Sequence, residues 1–135
     1  MKILHCINSL GRGGAEKTLI RLINGSSYEH AIVTLLPNIA LKNELTKEIL
    51  IISIIPFNLK KMKEICCLRN IFDPDIIQGW MYHGDLLSSL LGLIWRKKVY
   101  WNIRHGTMSI KHTSKKTILL RSLLAIFSYF IPKKI

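Results

Sequence analysis

Acidic residues are scarce in this chain. Of 135 residues, 8 are Asp or Glu against 20 Lys or Arg, and no acidic residue follows Asp85. Arg96, Lys97, Lys98, Arg104, Lys111, Lys115, Lys116, Arg121, Lys133 and Lys134 all lie beyond it, so most of the net charge of +12 sits in the last part of the chain. Such asymmetry suits an anionic partner: a phospholipid surface, nucleic acid or a phosphorylated substrate. A solvated basic face is the plainer alternative. Cysteine is also rare. Cys6, Cys66 and Cys67 make an odd set without framework spacing, which excludes a disulfide-stapled fold and fits a reducing compartment. Adjacent Cys66 and Cys67 cannot share one helix face, and no second pair completes a zinc site, so no metal is expected. Long apolar runs are missing too. The longest, Ile118 to Ile131, is broken by Arg121 and falls short of the roughly 20 residues that span a bilayer. The apolar stretch after Met1-Lys2 is too short for a secretory leader. The expected location is cytoplasmic, with the inner face of the membrane as a surface on which the protein can rest.

What is present is a globular composition, 49% hydrophobic, at a length that suits one domain. The chain opens with Lys2-Ile3-Leu4-His5-Cys6-Ile7, an apolar segment too short for a helix, followed by Asn8-Ser9-Leu10-Gly11-Arg12-Gly13-Gly14-Ala15-Glu16. The first segment reads as a buried strand. Ala15, Leu19, Leu22 and Ile23 then recur at helical spacing. Strand, glycine turn and helix N-terminus together form a natural anion site. Glycine lets the backbone approach closely, and the first unpaired N–H groups carry partial positive charge.

Strand and helix signals alternate after that. A helix over 14–24 ends near Asn24-Gly25, and residues 30–36 form a strand closed by Pro37. Leu41 to Glu48 reads as a short helix, and the isoleucine-rich 49–55 as a strand buried on both faces. A lysine-bearing helix covers 58–70. The turn Asp73-Pro74-Asp75 precedes a strand at 76–79, and Gly84-Asp85 precedes an apolar helix with Asp85 as its N-terminal cap. Val99 to Ile103 is a fifth strand, and a last helix spans about 117–131. This alternation implies an α/β fold: a doubly wound parallel sheet with right-handed crossovers. Ligands of such sheets bind beyond the strand C-terminal ends, where Asn8–Gly14, Trp80–His83 and Arg104–Thr107 fall together.

Neither common phosphate fingerprint fits. Gly11 and Gly13 match the dinucleotide pattern, but Glu16 stands where its third glycine belongs, and Leu36-Pro37 replace the acidic residue expected after the second strand. Lys17-Thr18 follow Glu16 rather than glycine, which excludes a Walker loop. The run from Lys2 to Glu16, however, closely resembles the N-terminal signature of family-4 retaining glycosyltransferases, which have the GT-B fold. Pro74-Asp75-Ile76-Ile77-Gln78-Gly79-Trp80 resembles that family's fourth strand, and Val99-Tyr100-Trp101-Asn102-Ile103-Arg104-His105-Gly106 its His-Gly strand end.

The resemblance implies a Rossmann-like acceptor-side domain over residues 1–135. The diphosphate of a nucleotide-sugar donor would lie against Gly13 and Gly14, with Arg12 in reach of phosphate. His105 would be the catalytic residue beside the transferred sugar, hydrogen-bonding the hexose or stabilising an oxocarbenium-like transition state. His83, Asp85 and Arg104 would lie on the acceptor side, toward a polysaccharide or lipid-linked acceptor of surface or lipopolysaccharide synthesis. No metal or cofactor beyond the donor is implied. Members of the family bind most of the nucleotide sugar in a second domain carrying two glutamates eight positions apart. Glu16, Glu29, Glu44, Glu48 and Glu64 include no such pair. The expectation is therefore a truncated enzyme without its C-terminal donor domain, inactive by itself. A non-catalytic basic module docking on a membrane or on a partner domain is the competing expectation. Nucleic acid is disfavoured because aromatic residues do not alternate with the basic ones.

Overall fold

The computed structural model describes residues 1–102 and the strand 132–134. Arg104, His105 and the helix expected over 117–131 lie outside the described residues. The elements run β1 (Lys2–Ile7), α1 (Gly14–Gly25), β2 (Glu29–Thr34), a 3₁₀ turn (Ala40–Glu44), β3 (Leu50–Ser53), α2 (Leu59–Phe72), β4 (Ile76–Trp80), α3 (Met81–Trp95), β5 (Lys98–Asn102) and β6 (Pro132–Lys134). The strands form one sheet in the order β3-β2-β1-β4-β5-β6, every neighbouring pair parallel. The doubly wound α/β layer expected from the alternation is the fold observed.

Alternate residues of the central strands divide the core. On one face Ile7 and Ile32 meet Leu19, Ile20 and Ile23 of α1, together with Leu10 and Trp80. On the other, Leu4, Cys6, Ala31, Val33 and Ile77 meet Leu68 of α2 and Leu87, Leu91 and Trp95 of α3. β1 is flanked on both sides by parallel partners, which is why its segment reads as continuously apolar.

Local structure departs from the sequence reading at four places. The segment expected as a helix over 41–48 closes only the 3₁₀ turn, which ends at Leu45 in extended backbone. Asn24 holds it there, its amide donating to Glu44 O (2.8 Å) and its carbonyl accepting from Thr46 N–H (3.0 Å). β3 is the sheet edge rather than a doubly buried strand. Only Ile52 is buried on it, and Leu50 is 44% exposed. α2 starts one residue later than expected, capped by Asn58, whose Oδ1 accepts from Lys61 N–H (2.9 Å), and continues to Phe72. α3 begins at Met81, directly after β4, so Asp85 lies inside the helix and cannot cap it.

That last shift has a steric cause. α3 faces the sheet with Gly84, Asp85, Ser88, Ser89 and Gly92 alongside Leu87, Leu91 and Trp95, and leaves Leu86, Leu90, Leu93 and Ile94 exposed. A Cβ on Gly84 would overlap the carbonyl oxygen of Cys6 and lie 3.2 Å from Ile7 Cα. A Cβ on Gly79 of β4 would lie 2.6 Å from both Asp85 Cα and Ser88 Oγ. The hydroxyls of Ser88 and Ser89 donate to Asp85 O (2.8 and 2.7 Å), and Trp101 Nε1–H donates to Ser89 Oγ (3.0 Å), tying helix to β5.

Gly84→Ala should therefore cost about 2 kcal/mol or more in urea denaturation, because its neighbour is backbone that cannot yield. Gly14→Ala, with nothing within 4 Å of the new methyl, should be neutral or stabilising by up to about 1 kcal/mol. Equal losses at the two positions would refute this packing.

Candidate functional site

The strand order reverses between β1 and β4: from β1 the chain proceeds to β2 and β3, from β4 to β5 and β6. In an open parallel sheet the crevice at that reversal, outside the carboxyl ends of the strands, is where ligands bind. Here the crevice holds a cavity of about 610 Å³ lined by Ile7 and Asn8 from the end of β1, Gly13, Gly14, Ala15, Glu16 and Thr18 from the start of α1, and Met81 and His83 from the start of α3.

The loop after β1 is fixed rather than loose. Leu10 is fully buried, its N–H donates to Asn38 O (2.8 Å), and its carbonyl accepts from Leu41 N–H (3.0 Å). α1 then starts at Gly14, with Gly13 as an extended N-cap that offers no side-chain hydrogen bond. The first ladder bond runs from Lys17 N–H to Gly13 O (3.2 Å). The N–H groups of Gly14, Ala15 and Glu16 precede that ladder and face the carboxyl edge. On the other wall, Met81 adopts φ 63°, in the left-handed region, so that β4 turns directly into α3. The turn brings Met81 and His83 against the glycine loop.

Beneath this wall lies a buried polar chain that the sequence reading missed. Trp80 Nε1–H donates to His5 Nδ1 (3.2 Å), and His5 Nε2 lies 3.0 Å from His30 Nδ1. An indole nitrogen only donates, so His5 Nδ1 is the acceptor, its proton sits on Nε2, and that proton is given to His30. Both imidazoles are neutral. Burial first, then the neighbouring His30, holds His5 near a pKa of about 3, with Gln78 pulling weakly the other way. Burial, then Lys47, lowers His30 as well. Nothing in the sequence links positions 5 and 80 except alternation, which puts His5 on the α1 face of its strand.

The residues singled out from sequence are divided by the structure. Gly13, Gly14 and His83 come together around the cavity. Arg12 is exposed beside it and does not line it. Asp85 is fully buried on the inner face of α3, and neither carboxylate oxygen has a hydrogen-bond partner among the described residues. Burial raises its pKa to about 7, the backbone of Asn102 acting in the opposite sense. The same burial, and Asp85 itself, push the Cys6 thiol up. Arg104 and His105 lie outside the described residues. Among those described, no group of three His, Cys, Asp or Glu is placed to hold a metal ion.

No protein-family model matches the chain, and no curated protein matches it. A solved structure that it resembles is that of Anabaena Alr3699/HepE in complex with UDP, with a TM-score of 0.64 and 18% sequence identity. The alignment covers 93% of this chain and 35% of that one, so the chain spans about a third of the length of the protein it resembles. The likeness is one of fold.

His5 and Asp85 oppose each other in their effect on stability. Between about pH 3 and 6.5 unfolded His5 binds a proton that folded His5 refuses, so stability rises with pH. Between pH 3.8 and about 7 folded Asp85 keeps a proton that the unfolded chain has lost, so stability falls with pH. Asp85→Asn removes only the second effect. Relative to the unaltered chain, it should gain up to about 4 kcal/mol as pH rises from about 4 to 8. Urea denaturation at a series of pH values checks this, and a pH-independent difference would refute it.

Proposed function

We propose that this chain is the acceptor-side domain of a GT-B-type glycosyltransferase that takes its sugar from a nucleoside diphosphate donor. The observation that carries the reading is the cavity at the strand-order reversal, where Gly13 and Gly14 open the N-terminus of α1. The UDP held by the protein of like fold supports it. Among the described residues no lysine or arginine lines the cavity. A diphosphate there would be held by backbone N–H groups and the helix dipole, which stabilise the negative charge that builds on the leaving group as the sugar–oxygen bond breaks. The acceptor hydroxyl that replaces it would approach from the His83 wall. By the resemblance stated above, His105 and Arg104 belong beside the transferred sugar and the acceptor. The retaining, family-4 type and a role in surface glycan synthesis are proposed on the same ground. A second domain completes the cleft in this reading, and this domain alone binds without transferring.

Titration of the chain with UDP by calorimetry should give saturable binding. Gly14→Glu places a carboxylate where nothing obstructs it, and should weaken that binding at least about tenfold while leaving the melting temperature close to that of the unaltered chain. Absence of saturation, or equal binding by the two proteins, would remove the reading.

A second reading is favoured by α3. Leu86, Leu90, Leu93 and Ile94 are 40 to 61% exposed in one helical stripe, beside exposed Arg96 and Lys98. Apolar side chains next to basic ones suit an anionic lipid surface. Among the described residues no helix is long and apolar enough to cross a membrane, and the last helix expected over 117–131 lies outside them. Sedimentation with anionic vesicles at low salt should retain the protein, and paired Leu90→Glu and Leu93→Glu substitutions should release most of it. Equal retention of both proteins would exclude α3 as the docking surface.

A further inference from the structure

We propose that Glu16 is a resident anion at the N-terminus of α1, which a phosphate ligand of the cavity must displace. This rests on the reading of the cavity as a nucleoside diphosphate site. Glu16 is the third residue of the helix, the position from which a carboxylate reaches back over the first turn toward the cap residue. Its side chain is turned that way. A Cβ built on Gly13 would overlap Glu16 Oε2 and lie 3.0 Å from Cδ and 3.1 Å from Oε1. The carboxylate therefore lies directly over the Cα of Gly13, on the wall that Gly13, Gly14 and Glu16 share.

The cap offers no side-chain oxygen of its own, so Glu16 supplies the negative charge that the helix end favours. A diphosphate seeks the same N–H groups for the same reason. The two anions compete for one helix end, and among the described residues no cationic side chain in the lining offsets their repulsion. The end is thus neutralised when empty, and binding exchanges one anion for another. Part of the ligand's interaction energy is consumed in turning Glu16 away, and that cost falls on phosphate-bearing ligands alone. A neutral nucleoside carries no charge for Glu16 to repel.

The test compares the full chain, Glu16→Gln and a control, Glu44→Gln, by calorimetric titration with UDP and with uridine. Glu44 is exposed on the 3₁₀ turn, away from the cavity lining, and its substitution changes net charge equally. Glu16→Gln should bind UDP about tenfold more tightly, while uridine binding by that variant and UDP binding by Glu44→Gln stay as in the unaltered chain. Weaker or unchanged UDP binding by Glu16→Gln would overturn the inference and make Glu16 a ligand contact or a bystander. An equal gain for uridine would overturn it too. If the unaltered chain and the variant both fail to bind UDP, the reading of the cavity falls and takes this inference with it. Should Glu16→Gln melt early, Glu16→Ala provides the same comparison.

Discussion

α3 touches the sheet backbone to backbone at Gly84 and nearly so at Gly79, and the geometry of the carboxyl edge follows from that contact. Because the helix sits so low, it starts without a loop after β4, and Met81 takes up the change of direction in a left-handed conformation. The low seat also carries the first turn of α3 across the end of β1, where it becomes the second wall of the cavity. The cost appears on both sides of the helix. Asp85 is enclosed without hydrogen-bond partners among the described residues, and four large apolar side chains remain on the outer face.

Much of this order was legible in the sequence. The alternation of short apolar segments with helical periodicity is a local signal, and it identified the layer, the parallel sheet and the glycine loop. It failed where local pattern and tertiary packing disagree. Leu86, Leu87, Leu90, Leu91 and Ile94 of α3 look like one buried stripe, yet only Leu87 and Leu91 are buried, and glycine and serine fill the rest of the inner face because closeness decides the packing there. Residues 49–55 read as a central strand because isoleucine content cannot reveal that a strand lies at the sheet edge. Asp85 after Gly84 imitates a cap, and only the unbroken run from β4 into the helix shows otherwise. Of the candidate site, Gly13, Gly14 and His83 could be found from motif and edge position. Glu16 entered the sequence reading only as the residue standing where a third glycine belongs, and the His5–Trp80 bond joins residues 75 positions apart.

The charge of the chain and the charge of the cavity lining among the described residues have different signs. A strongly basic protein would be expected to meet phosphate with lysine or arginine, yet among the described residues the one formally charged residue in the lining is Glu16. In the proposed function a phosphate at this edge would be held by main-chain dipoles, whose direction is fixed by the fold and cannot be altered by protonation.

All of the tryptophans are on one half of the sheet. Trp80, Trp95 and Trp101 belong to β4, α3 and β5, are 0, 4 and 5% exposed, and two of them donate indole hydrogen bonds to His5 and Ser89. The intrinsic fluorescence of the protein is accordingly a reporter of how α3 is seated. Lifting that helix would wet its chromophores and shift emission to the red, whereas fraying of β3 at the opposite edge would leave the spectrum unchanged.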